Sequence, residues 1–264
     1  MINILFRSVS ETLLQFGENP ENGFGGKLGF LTFLHTWEQK MLDHFHIHCI
    51  IPAGALCKSG KKWIDCNYDY LFPEQALARV FRGKFMDYFE QAYKKKELIF
   101  PGKTKEFAKS DGFYQLKTLL WSKNWVVDVE PAIENPDHVI EYVGRYTHRV
   151  AIANHRILDL SHGKVAFSYK DRKNATMETM TIDAVEFIRR FLLHVLPKGL
   201  MRIRHYGFLA NRCKGGNLKK CRKLLGLEPS GKIVLTKTVG EIMLDKTGTD
   251  ITKCPFCKQG TKRE

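Results

Sequence analysis

Residues 43–51 read DHFHIHCII, with histidine at every second position. Successive side chains of a strand alternate between faces, so His44, His46 and His48 project from a single face. The segment reads as one of two neighbouring sheet strands, Phe30 to Leu34 and His46 to Pro52, joined by a polar loop. Neutral imidazoles ligate many divalent ions, and two of them on a rigid strand leave open positions for water and a phosphate oxygen. A third protein ligand has two sources: His35, a hairpin's length upstream, or His44 itself. His35 is the preferred one. The competing reading is that the histidines are polar members of a half-buried strand, so the site needs a partner motif.

That partner lies about a hundred residues on. Asn135, Pro136 and Asp137 supply a cap, a first-turn proline and an early acid for a helix from His138 to about Arg149. On it Tyr142 and Tyr146 stand at i and i+4, with His138 and Arg149 on roughly the same polar face, while Val139, Ile140 and Val143 take the other. Paired tyrosines on a helix are commonly core-edge aromatics. Combined with a histidine strand they suit transesterification at a DNA phosphate, because a phenol of pKa near ~10 attacks phosphorus only where a metal polarises the phosphate and helps the 3′ oxygen leave.

The charge balance points to the same partner. Lys and Arg total 42 against 28 Asp and Glu, a formal charge of +14, which favours a polyanion such as nucleic acid over a merely solvated basic surface. No uncharged apolar run approaches the ~18 residues of a membrane span, and residues 1–15 lack the layout of a signal peptide. Seven scattered cysteines argue against a secreted disulfide framework. A cytoplasmic, nucleoid-associated protein is expected, with no membrane and no organic cofactor.

The rest of the chain alternates helix and strand. Residues 3–16 form an amphipathic helix, broken by the Gly-rich stretch Gly17 to Gly29, and residues 73–96 form a second helix. Trp125 to Pro131 alternates like a strand. Arg156 to Asp171 reads as a hairpin turning at residues 161–163, followed by a strand from Thr179 to Ile182 and a helix from Asp183 to Leu196. The composition turns more basic after about residue 189, which sets a loose boundary near 165–185.

Four stretches carry a resemblance to a known family: residues 34–56, 71–85, 141–158 and 181–212. Together they make the chain similar to the two-tyrosine HUH transposases of rolling-circle insertion sequences, of the type named after insertion sequence ninety-one. With the linking segments the resemblance runs from about Leu5 to Cys257. It implies that His46 and His48 are metal ligands and that Tyr142 and Tyr146 are nucleophiles, each forming a 5′-phosphotyrosine link and releasing a 3′ hydroxyl. It further implies Mg²⁺ or Mn²⁺ as the ion, single-stranded DNA at transposon ends as the substrate, and an α+β fold with an antiparallel sheet and flanking helices. Family members usually begin with a cysteine-rich zinc-binding domain and a first sheet strand. Here both are expected to be missing, so that residues 1–180 form a nuclease domain incomplete at its N-terminus.

Residues 181–264 are expected to form a basic, mainly helical DNA-binding region. Arg202, Arg204, Arg212, Lys219, Lys220 and Arg222 are its phosphate contacts, interleaved with Tyr206 and Phe208 for base stacking. Cys254 and Cys257 form half of a zinc knuckle, the alternative being a frayed tail with free thiols. Other functional readings are a catalytically inactive, truncated transposase that retains DNA binding, and a relaxase or replication initiator using the same chemistry.

Overall fold

The computed structural model describes residues 1–22, 24–66, 71–147, 151–171 and 174–227, together with positions 238, 240–241, 244–245, 248, 250, 252–253 and 257; side chains of residues 22, 136 and 145–147 are outside this description. The helices are α1 (Ile2–Glu18), α2 (Glu74–Lys94), α3 (Ser110–Ser122), α4 (Pro136–Thr147), α5 (Ala184–Leu193) and α6 (Lys214–Leu224). The strands are β1 (Gly29–Trp37), β2 (Asp43–Ile50), β3 (Gly54–Leu56), β4 (Trp63–Asp65), β5 (Ile157–Ser161), β6 (Lys164–Lys170), β7 (Met177–Asp183) and β8 (Ile203–Gly207). The architecture is α+β, with small antiparallel sheets and flanking helices.

The central sheet runs β2-β1-β8, with β1 antiparallel to both neighbours. Because faces alternate along a strand, Phe30, Cys49 and Tyr206 share the face that packs on Leu13 and Phe16 of α1. Tyr206 stacks on Phe30 with ring centres 5.4 Å apart, and the guanidinium of Arg204 lies 3.9 Å over the ring of the fully buried Phe6. The opposite face carries Phe33, His35, Trp37, His46 and His48. β3 and β4 form a separate hairpin, and their residues Leu56 and Trp63 pack with Phe208 and Cys221 to hold α6.

The second sheet, β5-β6-β7, wraps with α5 around the turn between β1 and β2 through Met41, Phe167, Phe187 and Phe191. Its hairpin turns on His162 and Gly163 at φ of 50° and 72°, the pair of left-handed residues that matches strand twist in a two-residue turn. From this layer Arg156, Arg190 and His194 donate to three successive carbonyls of the β1–β2 turn: Gln39 at 2.6 Å, Lys40 at 3.1 Å and Met41 at 3.1 Å. A carbonyl only accepts, so Nε2 of the buried His194 carries a hydrogen, and its Nδ1 meets Thr36 Oγ1 at 3.2 Å.

Several expectations need correction. Trp125 to Pro131 is not a strand: its odd-numbered side chains Trp125, Val127 and Val129 are half-buried in the cores, but the backbone joins no ladder among the described residues, and Val129 N–H donates to Glu74 Oε1 at 2.8 Å. Alternation marked packing there, not pairing. The boundary at 180/181 falls inside one compact unit, Met1–Leu225, since β8 pairs with β1; Gly226–Glu264 is the other unit. The described part of the region after residue 181 carries the helices α5 and α6, and between them the strand β8. Tyr206 and Phe208, taken as base-stacking groups, are core residues instead, the latter 2% exposed.

Gly207 closes β8 at φ 61°, and a Cβ there would collide with the Leu28 carbonyl oxygen that accepts from Phe208 N–H. We expect Gly207→Ala to lower unfolding stability by about 2–4 kcal/mol, read as a reduced urea midpoint at unchanged slope.

Candidate metal centre and tyrosine helix

The register of β1 and β2 builds the centre. His35 is directly opposite His46, and Phe33 opposite His48, so the three imidazoles rise from one face of adjacent strands. His35 Nδ1 lies 3.2 Å from His46 Nε2, which lies 2.9 Å from His48 Nε2. The ligand atoms all fall within 4.8 Å of one another, and this is the one such cluster of metal-binding side chains among the described residues. Two nitrogens each about 2.1 Å from one ion and at right angles to each other stand roughly 3.0 Å apart, so the spacing suits a shared ion. His46 Nδ1 faces the His44 carbonyl at 2.8 Å; that bond places its hydrogen on Nδ1 and leaves Nε2 as a lone pair toward the cluster.

Electrostatics favours the ligating form. Burial, reinforced by the neighbouring imidazoles, pushes His35 down to about 3 and His48 down to about 4. Both rings are therefore uncharged at neutral pH and present lone pairs. His44 is exposed; it contributes its backbone carbonyl, and its ring packs 4.6 Å from that of His46.

Helix α4 brings the phenol. Asn135 Oδ1 accepts from Asp137 N–H at 2.8 Å, the side-chain cap read in the sequence. Tyr142 Oη then lies 2.9 Å from His48 Nδ1, with ring centres 6.0 Å apart. Ile140 stays 69% exposed, so the helix does not pack by a continuous aliphatic stripe; it turns Tyr142 to the sheet, with Val139 and Val143 half-buried beside it. Tyr146 belongs to α4 one turn on, but its side chain lies outside the described residues, as does Arg149 altogether.

The expected phosphate contacts divide. Arg204 is occupied, donating to Asn3 Oδ1 at 2.6 Å as well as covering Phe6, and Arg202 is half-buried at the entry to β8. Arg212, Lys219, Lys220 and Arg222 are exposed on or before α6. Sequence reading missed that Lys58, Lys61 and Lys62 join them: Lys220 Nζ approaches the Gly60 turn between β3 and β4, where these lysines are exposed. The signal was present as CKSGKK at residues 57–62. Cys257 is exposed and Cys254 lies outside the described residues. Among the described residues no helix is long and apolar enough to cross a membrane.

With this geometry in hand, comparison with known proteins gives the family. Residues 29–216 match the family described as "Putative transposase". This chain belongs to that transposase family. It is 40% identical over 261 residues to "Putative transposase y4qJ" of Sinorhizobium fredii, covering 97% of this chain and 65% of the relative. It is 24% identical over 232 residues to "Transposase for insertion sequence element IS801" of Pseudomonas savastanoi pv. phaseolicola, covering 88% of this chain and 54% of the relative. The chain thus spans between half and two thirds of the length of these curated relatives. No solved structure matches it.

In the unfolded transposase chain His35 and His48 return to an ordinary value near 6.5, so as pH falls the unfolded state takes up protons before the folded one. Stability should therefore decline below about pH 6.5 and keep declining toward the folded values of about 4 and about 3. In EDTA, urea midpoints measured from pH 7 to pH 4.5 should fall, and less steeply for His35→Asn with His48→Asn; parallel curves for the two proteins would contradict the assignment.

Proposed function

We propose that this transposase chain nicks and rejoins single-stranded DNA at the ends of an insertion sequence through tyrosine–phosphate intermediates. The observation that carries the reading is the 2.9 Å approach of the Tyr142 oxygen to His48, itself one member of a three-imidazole cluster. A neutral His48 that turns Nε2 to the cluster carries its hydrogen on Nδ1 and donates it to the phenol oxygen, which positions that oxygen and stabilises its ionised form. Tyr142 Oη forms the bond to phosphorus as the bond to the 3′ oxygen breaks. That oxygen takes a proton from solvent and leaves as the 3′ hydroxyl, while the phenol gives its own proton to solvent. In this reading Tyr146, at i+4 in the sequence, takes a second strand end, and Arg149, which lies outside the described residues, meets the phosphate.

His35, His46 and His48 would hold the divalent ion, which when bound supplies charge neutralisation at the phosphate and the departing oxygen. Three nitrogen donors with no carboxylate fit Mn²⁺ better than Mg²⁺, which prefers oxygen. The exposed cations of α6 and the β3–β4 turn form a basic surface suited to the strand's phosphates.

Two outcomes are expected. A labelled single strand bearing an element end should form a denaturation-resistant adduct in Mn²⁺, reduced at least 100-fold by Tyr142→Phe or His46→Ala and weaker in Mg²⁺; salt-sensitive binding with no adduct would reject strand transfer. Replacing Lys58, Lys61 and Lys220 by Glu should weaken binding of the same strand and flatten its dependence on salt, by about 0.7 in log–log slope for each phosphate that is no longer neutralised, measured by anisotropy.

A further inference from the structure

Beside the histidine cluster is a cavity of 380 Å³ that shares His35 as a wall and is otherwise lined by Trp37, Glu38, Arg156, Lys170 and Asp171, among others. Its size lies at the small end of ligand pockets, about 300–1,000 Å³, room for a single nucleotide. Trp37 presents an aromatic wall, braced edge-on against His35 with ring centres 4.1 Å apart. Glu38 Oε1 is buried and finds no hydrogen-bond partner among the described residues. Its backbone is fixed, with Glu38 N–H donating to Leu42 O at 3.2 Å and Glu38 O accepting from Met41 N–H at 2.9 Å. A buried acceptor oxygen held in place without a donor is costly unless a ligand supplies one.

We propose that this cavity receives one unstacked guanine of the DNA strand and thereby fixes which nucleotide flanks the cleaved phosphate. The inference rests on the strand-transfer reading for its DNA partner. Among the four bases guanine alone carries two adjacent donors on one edge, N1–H and the N2 amino group, matching a carboxylate. Its O6 and N7 acceptors lie toward the other edge, complementary to the Arg156 and Lys170 cations. Cytosine and adenine place a ring acceptor beside their amino group, and thymine flanks its single N–H with two carbonyls, so each turns at least one lone pair toward Glu38. Extruding a base against an aromatic wall is how proteins read a base in unpaired form. Arg156 is set for the role by its bonds to Ser168 O at 2.8 Å and Gln39 O at 2.6 Å, which lock its guanidinium at the cavity wall.

The test titrates the full chain, in EDTA, with the 3′,5′-bisphosphates of deoxyguanosine, deoxyinosine, deoxyadenosine, deoxycytidine and thymidine by calorimetry. Deoxyguanosine bisphosphate should bind about tenfold more tightly than the thymidine compound, and deoxyinosine, which lacks the N2 amino group, should lose most of that advantage. Glu38→Gln should bring the guanine compound down to the level of the others and leave thymidine binding unchanged. Equal affinities across the series, or a guanine preference that survives Glu38→Gln, would overturn the proposal. If Glu38→Gln fails to fold, the inosine comparison decides. Because no ion and no bond cleavage enter this measurement, a guanine preference without any adduct would reject strand transfer alone, while an adduct without base preference would reject the pocket alone.

Discussion

The cross-strand pairing of His35 with His46 is the constraint from which the rest of the site follows. Sheet side chains repeat every two residues, so a slip of one position in the β1–β2 register would carry His46 and His48 to the face packed on α1 and leave His35 alone. The register is held at both ends of β1. Pairing with β8 fixes residues 29–33, and the three donors from Arg156, Arg190 and His194 grip consecutive carbonyls of the turn just beyond the imidazoles. Carbonyls that a turn leaves out of the ladder need partners, and here side chains from the second layer and the α5 end supply them. The second layer therefore supports the imidazole cluster by preventing the hairpin from shifting.

The two faces of the central sheet divide the work. One is sealed by α1, where even a guanidinium is used as packing, with Arg204 lying over Phe6. The other is only partly covered, since α4 reaches it through Tyr142 and two half-buried valines. The resulting half-burial has opposite consequences for the two kinds of group. It strips water from the imidazoles and keeps them uncharged, which suits ligation, while the cluster stays half-exposed, as the proposed approach of a nucleic-acid strand requires.

How much of this was legible in the sequence depends on whether local pattern or distant pairing made the structure. The histidine strand, the Asn135 cap of α4 and the 162–163 hairpin turn were readable, because each is set by residues within a few positions of one another. The role of β8 was not. The segment Ile203–Gly207 alternates Arg204 and Tyr206 against His205, and its charges read as a nucleic-acid surface; its pairing with β1, where Thr32, 172 residues away, also donates its hydroxyl to the Arg204 carbonyl, shows it as a strand of the central sheet. The segment from Trp125 to Pro131 fails in the converse way. Its alternation was real and its odd residues are packed, yet periodicity reports burial and carries no information about hydrogen-bond partners. The basic turn at 58–62 was overlooked because three lysines gain meaning only beside Lys220, which α6 brings to it through Cys221 and Phe208.

The distribution of charge completes the argument. Three imidazoles bring no negative charge to the centre, so an ion held by them keeps its full double positive charge for a phosphate, whereas each carboxylate ligand would have cancelled part of it. Glu38, close to His35 in sequence, lines the adjoining cavity instead of joining the cluster, and the described lysines and arginines with exposed head groups on α6 and the β3–β4 turn lie on other elements. Arg156 and Lys170 line that cavity with Glu38 and offset its charge locally, and the imidazole cluster itself includes no carboxylate among the described residues. On the proposed strand-transfer reading, a polyanionic strand would be attracted over the basic surface of α6 and the β3–β4 turn, and an ion held by the three neutral rings would set the strongest local field for a single phosphate, beside Tyr142.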